Sequence, residues 1–154
     1  MQLFRTAVKG EKFYTNTVRK ESKGQKRMRE CILIFNFEQA AARKLVAQLT
    51  IMKFKVRIIK EEDWQYPVGF LCGNSDFKGE DTPKKQEGTL TLDAPMLVMA
   101  GVDSNRLNQV LTAVKKAGIG RIPYKAVVTE TNQSWLPGAL LEELKQEHLK
   151  MQNI

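Results

Sequence analysis

The hydrophobic and polar positions of this chain run through the same course twice. Cys31 to Phe35 is apolar at every position, and so is Met96 to Ala100. A strand without alternation is covered on both faces, so each run predicts a central strand. Behind the first, from about Phe37 to Met52, Ala41, Leu45, Leu49 and Met52 recur at helical spacing with Ala42 and Val46 beside them. Asn36, followed three residues later by Gln39, has the pattern of an N-cap. Behind the second run, Leu107, Val110, Leu111, Val114 and Ala117 form the equivalent stripe. Asp103 or Ser104 would cap that helix, and Gly118 would end it.

Each helix is followed by an alternating segment. Phe54, Val56 and Ile58 alternate with Lys55, Arg57 and Lys60, which fits an edge strand blunted by charge. Tyr124, Ala126 and Val128 alternate with Lys125 and Val127. Polar corners then close on tryptophan, Glu61-Glu62-Asp63 before Trp64 and Thr129 to Ser134 before Trp135. Proline and glycine follow both (Pro67, Gly69; Pro137, Gly138), predicting a short helix over Pro67 to Cys72 and a long one from Trp135 to about Lys150. Asp63 and Asn132 are the expected N-caps of these helices.

The chain therefore reads as a duplicated β-α-β-α unit, with half-repeats at about 30–72 and 95–150. A mobile linker rich in glycine, proline and charge joins them at 73–94, with a short strand expected at Thr89 to Leu92. The fold class is an α/β sandwich of the α+β kind, with a four-stranded sheet whose first and third strands are central. Two strand orders stay open. Duplicated β-α-β units related by a two-fold favour the ferredoxin-like order 4-1-3-2, which is preferred. Continuous apolarity in the central strands argues for helices on both faces, as in a parallel 2-1-3-4 three-layer sheet.

Composition narrows this picture. With 154 residues and 42% hydrophobic content, residues 28–154 suit a single domain with its own core. No apolar run approaches the roughly 20 residues of a membrane helix, and the N-terminus has no secretory h-region, so no membrane partner is expected. Cys31 and Cys72 lie among apolar neighbours without a CxxC partner, which suits reduced thiols and a cytoplasmic location.

The net charge is +8, and residues 1–27 hold most of it, with eight Lys and Arg against Glu11 and Glu21. Three readings of this arm remain. It is a disordered solvated tail, a mis-assigned start upstream of Met28, or a nucleic-acid arm. In the last case Arg19, Lys20, Lys23, Lys26 and Arg27 would hold phosphates, with Phe13 and Tyr14 available for stacking.

ILIFNF at Ile32 to Phe37, the corner Glu62-Asp63 with Pro67 and Gly69, MLVMAG at Met96, IPYKAVVTETNQSW and LLEELKQEH carry a family likeness. From about Glu30 to His148 the chain resembles the bacterial domain of unknown function 3783 family. Glu130 departs from the proline expected there in relatives. The resemblance implies a compact cytosolic domain and brings no activity with it.

Tests for chemistry return little. The one histidine, His148, and the two cysteines lack metal-ligand spacing, so no metal or cofactor is expected. Nothing brings His148 to Cys31, Cys72 or Ser134 as a nucleophile pair. Gly118-Ile119-Gly120 follows a helix, so it is a turn and not a phosphate cradle. Asp63 with Glu61, Glu62 and Glu130 reads either as an acid/base set or, more simply, as capping. Trp64 and Trp135 either stack a planar ligand or anchor helices onto the sheet.

If the strand ends converge, Asn36, Asp63, Trp64, Gly101, Thr131, Asn132 and Trp135 line a crevice suited to a small anion. The leading expectation is a non-catalytic ligand- or protein-binding or regulatory module, with a homodimer through sheet edges or the last helix among its forms. A nucleic-acid-binding protein is second, and an enzyme using Asp63 or Glu130 is third.

Overall fold

The computed structural model describes residues 4–8, 11–15, 29–73 and 92–152, with side chains for 29–73 and 92–151. In chain order its elements are β1 (Phe4–Val8), β2 (Glu11–Thr15), β3 (Cys31–Phe35), α1 (Gln39–Ile51) and β4 (Val56–Ile59). A 3-10 turn (Glu61–Asp63), α2 (Val68–Leu71), β5 (Met96–Ala100), α3 (Ser104–Ala117), β6 (Lys125–Val127) and α4 (Pro137–Gln152) follow. All strands belong to one mixed sheet, ordered β1-β2-β6-β5-β3-β4.

The four strands of the body form the expected α/β sandwich, with β3 and β5 in the middle. Their order is 2-1-3-4, so the preferred ferredoxin-like order 4-1-3-2 is not adopted. Nor is the sheet all-parallel. β3 runs parallel to β4 and β5 parallel to β6, but β3 and β5 are antiparallel, with Cys31 opposite Ala100, Leu33 opposite Val98 and Phe35 opposite Met96. That register maps onto itself when the two strands are exchanged, so a local two-fold passes through the Leu33–Val98 pair.

The antiparallel centre explains the layers. Right-handed crossovers that step outward in opposite directions, from strands of opposite sense, place both helices on the same face. Accordingly α1 and α3 share one face, where Leu45, Leu49, Val110, Leu111 and Val114 pack on Ile32, Ile34, Leu97 and Met99. The other face would lie bare. There Val68, Leu71, Leu140, Leu141 and Leu144 of α2 and α4 cover Leu33, Phe35, Met96 and Val98. Both faces of β3 and β5 are therefore dry, as their unbroken apolarity requires.

Three details depart from expectation. Asn36 does not cap α1; it takes a left-handed turn at φ 58, and Glu38 stands at the N-cap without a side-chain bond. Residues 4–8 and 11–15, expected within a disordered or mis-assigned arm, form an antiparallel hairpin whose β2 adds parallel to β6. The rest of the arm lies outside the described residues, as does the strand expected at Thr89 to Leu92 except for Leu92 itself. Lys125, expected to alternate outward, is fully buried, its Nζ donating to the Ile122 carbonyl at 2.8 Å. Its strand lies between β5 and β2, so a backbone carbonyl replaces water at the ammonium.

The expected cap of α3 is present, since Asp103 accepts from the Arg106 amide at 2.8 Å. Arg106 also links the two halves. Its guanidinium donates to Glu30 and to the Met52 carbonyl at 3.0 Å, and lies 3.7 Å from the Phe54 ring centroid. It thus satisfies a carbonyl that the end of α1 leaves open.

Left-handed positions recur at one spacing. Asn36 and Gly101 follow the central strands at φ 58 and 67, and Lys53 and Gly118 follow the crossover helices at φ 65 and 67. A Cβ added at Gly118 meets nothing within 4 Å, so only backbone strain opposes a side chain there. Gly118→Ala should cost about 1 kcal/mol, and Lys53→Gly should gain up to about 1 kcal/mol, both read from urea midpoints.

Cys31 and Cys72 are buried free thiols of the same core. Burial pushes both thiols up, and Cys72 is raised further by Cys31. In the unfolded chain these thiols ionise near about pH 8.5, so above that pH the unfolded state sheds protons that the folded state keeps. Stability is therefore unaffected below about pH 8.5 and falls as pH rises, by up to about 1.4 kcal/mol per unit per thiol. Cys72→Ala should show a shallower loss between about pH 8 and pH 10 than the unaltered chain.

Candidate functional site

The antiparallel centre sends the carboxyl ends of β3 and β5 to opposite ends of the sheet. Asn36 and Gly101, which follow those strands, therefore do not converge. Asn36 donates from Nδ2 to the Leu92 carbonyl at 3.0 Å, tying the turn after β3 to the chain ahead of β5. The single crevice expected from a parallel sheet is not built, because it requires all strand ends on one side.

The two corners do meet, under the face that carries α2 and α4. The Val68 amide donates to the Trp135 carbonyl at 2.9 Å, and the Gly69 amide to the Gln133 carbonyl at 2.8 Å. The first amides of α2, an anion site in principle, are thus taken by carbonyls of the other half. Asp63 belongs to the 3-10 turn, and Pro67 stands at the N-cap of α2 without a side-chain bond. The expected capping role of Asp63 is not fulfilled.

Asn132 is fully buried and bonded through its side chain in two directions. Its Oδ1 accepts from the Thr129 amide at 2.8 Å, its Nδ2 donates to the Val127 carbonyl at 3.1 Å, and its backbone amide donates to Thr129 Oγ1 at 3.2 Å. Asn132 therefore closes the turn that leaves β6, five residues before α4 begins at Pro137, and does not cap that helix. Thr131 and Glu130 beside it are exposed, as are Glu61 and Glu62.

The two tryptophans are partly buried against the core that also holds Tyr66, Phe70 and Tyr124. Tyr66 and Phe70 touch, with ring centroids 5.2 Å apart. His148 is partly buried and sits edge-on to Tyr124 at 5.7 Å between ring centroids. Where the corners meet, Trp64 and Trp135 thus pack against one core, joined there by Tyr66 and Phe70. The spacing Trp64-x-Tyr66-x-x-x-Phe70 was the available signal for these last two. One polar atom stands apart: Trp64 Nε1 is buried and donates to nothing among the described residues. The residues expected to hold nucleic acid, Arg19, Lys20, Lys23, Lys26 and Arg27, lie outside the described residues.

Asn132→Ala should lower stability by about 2–4 kcal/mol, since the Thr129 amide and Val127 carbonyl would stay buried without partners. Asn132→Asp should be comparably damaging, because it removes the Nδ2 donor and buries a charge. Urea unfolding measures both, and a loss below about 0.5 kcal/mol would contradict the role given to this residue.

No curated protein and no solved structure matches this chain. No helix among the described residues is long and apolar enough to cross a membrane. Among the described residues no three His, Cys, Asp or Glu side chains group as metal ligands. Residues 95–151, which span β5, α3, β6 and nearly all of α4, match the family described as Domain of unknown function (DUF3783).

Proposed function

We propose that this chain is a non-catalytic ligand-binding module, and that the seam between its two corners is the binding surface. The observation that carries this reading is Trp64 Nε1, a buried donor without an acceptor among the described residues, on a ring that packs against the same core as the partly buried Tyr66, Phe70 and Trp135. A buried N–H left open costs about 1–3 kcal/mol, a cost that a ligand acceptor would offset. The matching ligand has a planar or apolar body and a carboxylate, carbonyl or phosphate oxygen. A binding role fits better than a catalytic one because the buried Asn132 and the first amides of α2 are already committed to the protein's own bonds. Glu61, Glu62 and Glu130 stand in solvent, so no water-excluded acid/base pair is formed by them.

Further parts of the proposal rest on the sequence. We read the matched spacing of the left-handed positions and the self-mapping register as the trace of a duplication, and the chain as a bacterial cytoplasmic protein. Nucleic-acid binding through residues 1–27 is the alternative. Retention on DNA across salt concentrations, for protein starting at Met1 and at Met28, separates the two readings.

The test is a thermal-shift screen of carboxylates, nucleotides and sugar phosphates on the unaltered chain and on Trp64→Phe. A compound of this class should raise the midpoint by at least about 2 °C in the former and not in the latter. Without ligand, Trp64→Phe should change stability by less than about 1 kcal/mol, since it removes an unsatisfied donor along with some apolar area. A panel that moves nothing, or a shift that survives Trp64→Phe, removes the seam as the site.

A further inference from the structure

The outer edge of β4 is the clearest unused surface. β4 pairs with β3 alone, and the Ile32 amide donates to the Lys55 carbonyl at 2.8 Å. That bond sets the phase of the parallel ladder. Lys55, Arg57 and Ile59 turn their main-chain groups toward β3, while Val56 and Ile58 turn theirs outward. Among the described residues nothing pairs with this edge. Ile58 lies on it and is 55% exposed, although strands pack isoleucine well and solvent does not reward it.

Charge along the segment is polarised. Lys53, Lys55 and Arg57 lie toward its start, and Glu61, Glu62 and Asp63 follow its end. Such a sequence is complementary to itself in the antiparallel sense, because the basic start of one copy meets the acidic end of the other.

We propose that a second copy of this chain docks on the β4 edge, the two strands pairing antiparallel about a two-fold at Ile58. Outward main-chain groups must meet outward ones, which restricts the choice of register. Centring on Arg57 would set two guanidinium groups opposite each other, so that register is disfavoured. Centring on Ile58 pairs the two exposed isoleucines on the α1 side of the sheet. It also sets Val56 opposite Lys60 of the partner copy and brings Lys55 of each copy toward Glu61 of the other. Arg57 keeps its bond to the Leu71 carbonyl, 2.7 Å away. The edge is short, so the association is weak and reversible, with a dissociation constant on the order of 10 μM.

Sedimentation equilibrium of the full chain from about 1 to 500 μM tests the proposal. The unaltered protein should pass from monomer to dimer. Ile58→Asp should remain monomeric, and Ile58→Thr, which keeps a β-branched side chain, should weaken the dimer at least about tenfold. Because Ile58 is largely exposed, both variants should keep the far-ultraviolet circular dichroism of the parent. Lys55→Glu should weaken the dimer at least about fivefold, and adding Glu61→Lys should restore it. A chain that stays monomeric throughout overturns the proposal. So does a dimer that Ile58→Asp leaves intact, or a charge exchange that restores nothing. These outcomes are independent of ligand binding at the seam.

Discussion

The architecture depends on the antiparallel contact between β3 and β5. Ten apolar residues face one another there across a ladder centred on Leu33 and Val98. All ten are buried, and the environment of one strand is the environment of the other by the local two-fold. Each large side chain in that pair removes roughly 1.5–3 kcal/mol of apolar surface from water. Neither half could do this alone, since a β-α-β unit leaves one face and one edge of its central strand open.

The direction of that contact fixes the rest. With the central strands antiparallel, both crossover helices fall on one face, and the opposite face has to be covered by whatever follows β4 and β6. The chain meets this need with two closing segments of unequal length, α2 and α4, whose corners interlock through the Val68 and Gly69 amides. Polar groups that would face a ligand crevice in a parallel sheet are used here to bind one half to the other. Among the described residues, what stays open is the Trp64 indole donor and the outer edge of β4.

Electrostatics follow the same division of labour. Arg106 joins the end of α1 to the start of α3 and is held in its charged form by Glu30, with which it bonds through two nitrogens. Lys145 and Asp93 form an ion pair between α4 and the entry to β5. Both are partly exposed, so they position elements more than they stabilise them. The buried Lys125 differs in kind. At the equivalent step of the first half the parallel partner of β3 is Val56, which is only partly buried, whereas Lys125 is closed off beside β5.

Element identity was legible in the sequence because it is local. Periodicity places α1 and α3, unbroken apolarity marks β3 and β5 as central, and Asp103 and Gly118 bound α3 as their side chains dictate. The need for cover on both faces followed from the same apolar runs. Strand direction was not legible, because apolar positions are equally well buried whether the neighbouring strand runs up or down. Only the packed sheet decides between them, and with it whether Asn36 and Gly101 share a crevice or lie at opposite ends. The roles of Asn132 and Lys125 were hidden for a related reason. Their partners are backbone groups, the Thr129 amide and the Val127 and Ile122 carbonyls, and no residue type in the sequence announces a carbonyl left open by a turn.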